Sequence, residues 1–530
     1  MKQRKYLNFY AAVGRKRVPD KDYPNDVNVL LDDMKYARVH GAIILPNSAE
    51  EYSFSYGNRE GISIAKSNPR LKSIAPVPTT ALLEMGENNY FDFLLESGAV
   101  ALAASPSFRC AYTPKSIAPI AETLMRHNKP LVFTAAASEN ALLQIDAIAS
   151  AYPQLPIIMY GCSWGQGRTV LEMLSRHQNL HFEISSFHVN NLFKISKEHF
   201  GIDRVLYGSA WPLKSMGAMK AYVEYADITE DDKNMVAHGN ACRLFGLDIN
   251  DFELYNDDEC ELDAIALEAD AGIPISVPVF DAHTHMIENA DKAVNNCIMM
   301  YSDCDGIAQK MQKLGIDSII TSPWSGICFD GIKGNEETLY AAKKHPGRFY
   351  GYLTCNVNYE EDLSKWTEYH KKYPDVFVGI KPYPAFQKFD YSDDICQPLF
   401  EYANEHCMPA LIHAASVSDI DNVEPIVSKY PNVTFIIAHA GASFNAARRA
   451  VALCKKHENV VLEITYTTTC RGMIEFLVEQ VGADRVLYGS DSPMRDATPQ
   501  LAWVCYAKIS PEDKKKILAE NIKRIIEKRI

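Results

Sequence analysis

The chain has 530 residues, 47% of them hydrophobic and 23% charged, with a formal net charge of −13. That length exceeds one core and calls for two or three domains, and the negative balance argues against nucleic acid or an anionic membrane as the main partner. No window reaches the ~18 apolar residues of a membrane span, the start "MKQRKYLNFYAAVGRK" is too short in its apolar run for a secretory signal, and thirteen scattered cysteines without a CxxC pair point to reduced thiols in a cytoplasm.

In chain order, the first half opens on the strand-like "LNFYAAVG" from Leu7. It continues through "ALAASPSF" (Ala101), "NKPLVFTAA" (Asn128), "AYPQLPIIMYG" (Ala151) and "FEIS" (Phe182), and reaches "DRVLYGSAWP" from Asp203 to Pro212. An acidic stretch from Asp248 to Ser276 ends in Gly and Pro and reads as a linker. It separates a region 1–247 from a region 277–530.

The second half presents eight apolar runs: "PVFDAHTH", "DSIITSPW", "RFYGYLTCN", "VFVGIKPYP", "PALIHAAS", "TFIIAHAGA", "VVLEITYT" and "RVLYGSDSP". Most are β-branched or aliphatic throughout, as strands buried on both faces should be. Helical stretches such as "DGIAQKMQKLG" and "NAARRAVALCKKH" stand between them. Strand and helix alternating eight times is the (β/α)8 pattern, and about 250 residues is the usual size of such a barrel.

The chain is written twice. "DRVLYGS" at Asp203 recurs at Asp484, "FEIS" at Phe182 matches "LEIT" at Leu462, and "NKPLVFTAA" matches "CMPALIHAA" at Cys407. A constant offset through these matches predicts two tandem TIM (β/α)8 barrels.

Chemistry in such a barrel sits at the C-terminal ends of the strands. In the second copy those ends carry His283 and His285 (an i, i+2 pair on one strand face), Lys381, His413, His439 and Asp491. Four histidines and an aspartate converging on one rim suit Zn2+ or a similar divalent ion. The motifs "FDAHTHM", "GIKPYP", "LIHAAS", "IIAHAGAS" and "LYGSDSP" resemble the amidohydrolase superfamily, in the style of its amidohydrolase-related branch. The resemblance implies one metal, Zn2+, held by His283, His285, His413 and Asp491, with His439 and Asp491 moving protons. A second metal bridged by a carbamylated Lys381 is the alternative the superfamily allows.

The first copy has Tyr10, Ala12, Ala103, Thr134 and Ala210 at the matching positions, with Tyr160 or Gly161 in place of His439. No metal ligand is left among them, so this half reads as an inactive pseudo-subunit pairing with the active barrel within the chain; self-association of the chain stays open. Glu183 and Glu463 are kept in both copies and read as serving the barrel. Around the second site, Lys381, Trp324, Tyr383, Arg471 and Arg495 are candidates for binding a small, planar, carboxylated substrate. The expected function is a metal-dependent hydrolase that uses a metal-activated water on a C–O or C–N bond. The alternatives are a metal-dependent decarboxylase of an aromatic or dienoic acid and a non-catalytic two-barrel binding protein.

Overall fold

A computed structural model describes residues 4–256, 260–288, 294–295 and 297–529. The chain divides into two compact units, Met1–Leu262 and Asp263–Ile530. Among the described residues no helix is long and apolar enough to cross a membrane, and none of the thirteen cysteines is in a disulfide.

The first unit contains strands β1 (Leu7–Val13), β2 (Gly41–Pro46), β3 (Leu71–Pro76), β4 (Ala99–Ala104), β5 (Leu131–Phe133), β6 (Ile157–Met159), β7 (Leu180–Glu183) and β8 (Val205–Leu206). They pair in parallel in sequence order, with helices between. The last strand returns to the first through Phe9 N–H to the Tyr207 carbonyl (3.0 Å) and Ala12 N–H to the Trp211 carbonyl (2.9 Å).

The second unit repeats this plan with β9 (Phe280–Thr284), β10 (Ser318–Thr321), β11 (Phe349–Leu353), β12 (Phe377–Ile380), β13 (Ala410–His413), β14 (Phe435–Ala438), β15 (Val460–Glu463) and β16 (Val486–Leu487). It closes through Ala282 N–H to the Tyr488 carbonyl and His285 N–H to the Ser492 carbonyl. The expected pair of (β/α)8 barrels is what the chain forms.

Both barrels fill their interiors with side chains. Phe280, Ile320, Val378, Leu411 and Ile436 meet inside the second, and Ile522 and Ile525 of the last helix cover its lower end. In the first, Phe9, Ile43, Val132 and Ile158 are covered by Phe245 and by Phe252. Phe252 comes from the acidic stretch read as a linker. The later part of that stretch forms helix Ala264–Ala271, whose Ile265 and Ala266 are buried in the second unit.

The shared "YGS" explains why both copies retain it. A π-helical turn at Met235–Gly239 and another at Lys516–Glu520 each accept the strand-eight tyrosine: Tyr207 N–H reaches Val236 and Tyr488 N–H reaches Ile517, both at 3.0 Å. A Cβ on Gly208 would lie 2.6 Å from Glu183 Oε2, and one on Gly489 would lie 2.4 Å from Glu463 Oε1, so only glycine lets those buried carboxyls approach. Ser209 and Ser490 then donate their N–H groups to Asn8 Oδ1 (2.9 Å) and Asp281 Oδ1 (3.0 Å).

Candidate metal centre

Strand β9 sends His283 and His285 to the same face because side chains two apart in a strand share it. Its register is fixed at both ends of the motif: Asp281 Oδ1 accepts His283 N–H (3.1 Å), and Asp491 N–H donates to the His283 carbonyl (2.8 Å). His439 and Asp491 both adopt left-handed backbone, φ 65 and 60. That conformation is uncommon for residues with a Cβ and concentrates at functional sites. The result is one buried cluster: His283, His285 and Asp491 offer ligand atoms within 4.8 Å of one another, and so do His283, His439 and Glu463. A third such group, Cys304, Asp305 and His345, lies on outer helices with Asp305 already held by Lys344.

The hydrogen bonds fix where the lone pairs point. A carbonyl can only accept, so His285 Nδ1 carries the proton it gives to Ser322 O (2.8 Å), and His439 Nδ1 the proton it gives to Thr465 O (2.9 Å). Burial holds His439 neutral, well below the usual imidazole range. Its Nε2 is therefore an acceptor and takes the His413 Nδ1 proton at 3.0 Å. Burial likewise lowers His413 to about 4, which leaves a lone pair on its Nε2. His285 Nε2 presents its own lone pair to Asp491 Oδ1 at 3.0 Å, and His283 Nε2 faces the same oxygen at 3.7 Å. Acceptors turned on a carboxylate in a dry site call for a cation between them. His283 is further oriented by Glu463 Oε2 on its Nδ1 (3.0 Å), the carboxylate backing that metal-binding imidazoles ordinarily have. The donor set fits a divalent ion.

Charge is distributed unevenly around this cluster. Burial would raise Asp491, but the Arg495 guanidinium outweighs it and holds the carboxyl well below its usual range. Arg495 bonds Asp491 Oδ2 and lies over the Tyr466 ring. Glu463 and Asp281 are each pushed by burial to about 7. Lys381 is 1% exposed, its Nζ has no hydrogen-bond partner among the described residues, and burial lowers it to about 8.

The other expected positions fall as follows. Tyr383 stands 5.2 Å from the His413 ring and is stacked on Phe386, 5.4 Å away. Trp324 lies 6.1 Å from His285 and meets Phe386 edge-on at 5.6 Å. Those three rings make an aromatic wall. Arg471 is half-buried just before helix Met473–Val481. Arg495, expected among the substrate-binding groups, is engaged by Asp491. His413 bonds His439 and joins neither buried three-residue group. Sequence reasoning missed Asp281, Phe386 and Tyr466, and it gave Glu463 to the barrel alone. Glu463 does serve the barrel through Thr465 N–H (2.6 Å), but it also orients His283. The Asp two residues before the first histidine was a signal available in "FDAHTH".

A family model described as "Amidohydrolase" matches residues 96–247 and 324–527, more than half of the chain and parts of both units. The chain belongs to the amidohydrolase family. The second match begins beyond His283 and His285. No curated protein matches. Among solved structures, the chain is similar to 2,6-dihydroxybenzoate decarboxylase from Rhizobium (16% identity, 47% of this chain and 99% of that one, TM-score 0.38). It is similar also to an amidohydrolase from Burkholderia multivorans with bound zinc (13%, 47% and 99%, 0.39). A third is 5-carboxyvanillate decarboxylase from Novosphingobium aromaticivorans, complexed with manganese and a nitrobenzoic acid (16%, 48% and 96%, 0.38).

In this amidohydrolase-family chain, strand registers align the two units residue by residue. The bridges Ala11–Trp211 and Thr284–Ser492 equate Tyr10 with His283 and Ala12 with His285. Leu102 pairs with Leu131 as Ile380 pairs with Ala410, which equates Ala103 with Lys381. Gly161 N–H donates to Glu183 (3.0 Å) as His439 N–H donates to Glu463 (3.4 Å), so Gly161, not Tyr160, stands for His439. Where the second unit gathers its imidazoles, the first stacks Tyr10 on Tyr160 with centroids 3.7 Å apart.

Proposed function

We propose that the second unit is a metal-dependent hydrolase cleaving a C–O or C–N bond of a small carboxylated substrate. The observation that carries this reading is the set of imidazole lone pairs turned on Asp491 beside a buried Lys381 ammonium that has no hydrogen-bond partner among the described residues and lies 5.5 Å from the Tyr383 ring centre. His283, His285 and Asp491 would hold the ion, with His413 Nε2 as the further donor, and Zn2+ suits these ligands. The ion, when bound, supplies Lewis acidity towards the scissile carbonyl and lowers the pKa of a water towards roughly 7.

The chain's own groups divide the remaining work. Arg495 keeps Asp491 ionised, so Asp491 is a ligand first and a weak base. Proton movement then falls to the neutral His439, whose Nδ1 proton is anchored on Thr465 O and whose Nε2 can exchange the His413 proton for one from the reacting water. Lys381 pairs with the substrate carboxylate, and Trp324, Phe386 and Tyr383 exclude water from one side. The first unit, without donors at these positions, takes no part in the chemistry.

A second reading, non-oxidative decarboxylation of an aromatic or dienoic acid, is favoured by that aromatic wall next to Lys381, since a planar carboxylated ring would fit both. One experiment separates the two. Zn2+- and Mn2+-loaded protein is assayed on lactones, esters and amides and on hydroxylated aromatic acids, following acid release and CO2. Hydrolysis of the first panel without CO2 supports the hydrolase. CO2 from the second panel with no hydrolysis overturns it in favour of the lyase, and turnover of neither by metal-loaded protein overturns both.

A further inference from the structure

We propose that the first unit is a binding site for a small organic carboxylate with an apolar body, in a cavity whose counterpart in the second unit lies beside His413. The cavity opens at the C-terminal ends of β4 and β5, measures about 530 Å3, and is lined by Ala104, Pro106, Phe133 and Ala135 with Arg109, Cys110 and Tyr112. Volumes of this order hold small ligands.

Its place is inherited. The second unit has a cavity of about 480 Å3 in the corresponding loop, lined by Pro384, Lys388, Tyr391, His413 and Asn422. Arg109 and Lys388 each end a short helical turn that begins with proline, and both take left-handed backbone, φ 53 and 59. Tyr112 and Tyr391 follow three residues later. Gln144 and Asn422 each stand six residues past a helix-capping serine, Ser138 and Ser416. The duplication therefore kept the hollow while Tyr10 and Tyr160 closed over the position of the histidines.

The charge of the lining has changed in a way that selects the ligand. The second unit's cavity carries Asp390, Asp393 and Asp419 beside Lys388. The first unit's cavity has Arg109 as its one charged lining residue and no acid. The guanidinium of the exposed Arg109 makes no hydrogen bond or ion pair among the described residues. A guanidinium with its donors unspent beside apolar walls suits a carboxylate, which it can grip with two parallel bonds. Phe133, Pro106 and the alanines suit the apolar remainder.

The test is calorimetric titration of benzoate and of benzamide, its neutral counterpart, into the full-length chain. The expected result is a benzoate-binding event that persists in Asp491→Ala and in the Asp491→Ala, Lys381→Met double variant, where the second unit's donor set and its carboxylate partner are both removed. It should weaken at least tenfold in Arg109→Gln and disappear in Ala141→Trp, which fills the cavity from its helical side. Benzamide should bind at least tenfold more weakly than benzoate. Absence of any event in Asp491→Ala, an event unmoved by Arg109→Gln, or equal binding of benzamide would overturn the proposal. None of these readouts depends on the second unit's activity, so failure here and failure of the hydrolase reading are distinguishable.

Discussion

The two barrels keep one frame and spend it differently. In both, a strand-seven glutamate is buried under a strand-eight glycine, and a serine N–H ties strand eight back to strand one. Among the described residues, Glu183 uses its oxygens on Gly161 and Ser185. Glu463 uses the same position to hold Thr465 and His439 and has one contact more, the His283 imidazole. The pair Asn8 and Asp281 makes the same point: either side chain can accept the serine N–H, but the second unit buries a carboxyl there. Frame and chemistry thus share residues, and losing the histidines cost the first unit none of its frame.

The comparison yields predictions of decreasing size. Asp491→Ala should lower turnover by at least about 10³-fold, since it removes several kcal/mol of transition-state stabilisation; steady-state assay beside Arg109→Gln, which should keep full activity, checks this. Glu463→Gln should weaken metal binding by roughly 10–100-fold, whereas Glu183→Gln should leave it unchanged; competition with a chelator reads both. Lys381→Met should stabilise the metal-free protein near pH 7. Burial lowers the Lys381 pKa to about 8 from 10.5, so the unfolded chain binds the extra proton between those values and native stability rises with pH across that window. The advantage of Met, at most roughly 3 kcal/mol, should therefore shrink as thermal melts move from pH 7 to pH 10. Ala210→Asp, the smallest effect, should create neither activity nor metal binding, because Tyr10, Ala12 and Thr134 offer no imidazole to join it.

Much of this was readable beforehand, for identifiable reasons. Strands buried on both faces give continuous apolar runs, so the eight strands of the second barrel and six of the first follow from the duplicated pattern, β2 and β3 being added by the structure, and strand-end polar residues stand out against it. His283, His285, His439 and Asp491 were legible in that way. What was not legible depends on contacts between distant parts of the chain. The Glu463–His283 bond spans 180 residues, and nothing local marks it, because Glu463 has an equally conserved-looking twin in Glu183. Phe386 is unremarkable in sequence and matters because it meets both Trp324 and Tyr383. Arg495 looked available to substrate until the turn after Asp491 brought its guanidinium onto that carboxylate. The choice between Tyr160 and Gly161 as the partner of His439 needed the hydrogen bond to Glu183.

The claim that chemistry resides in the second barrel alone is tested most directly by the metal content of purified, metal-reconstituted protein. One equivalent of divalent ion per chain in the native sequence, and none in Asp491→Ala, is the predicted result. An ion retained in Asp491→Ala, whether the native protein holds one equivalent or two, would contradict it.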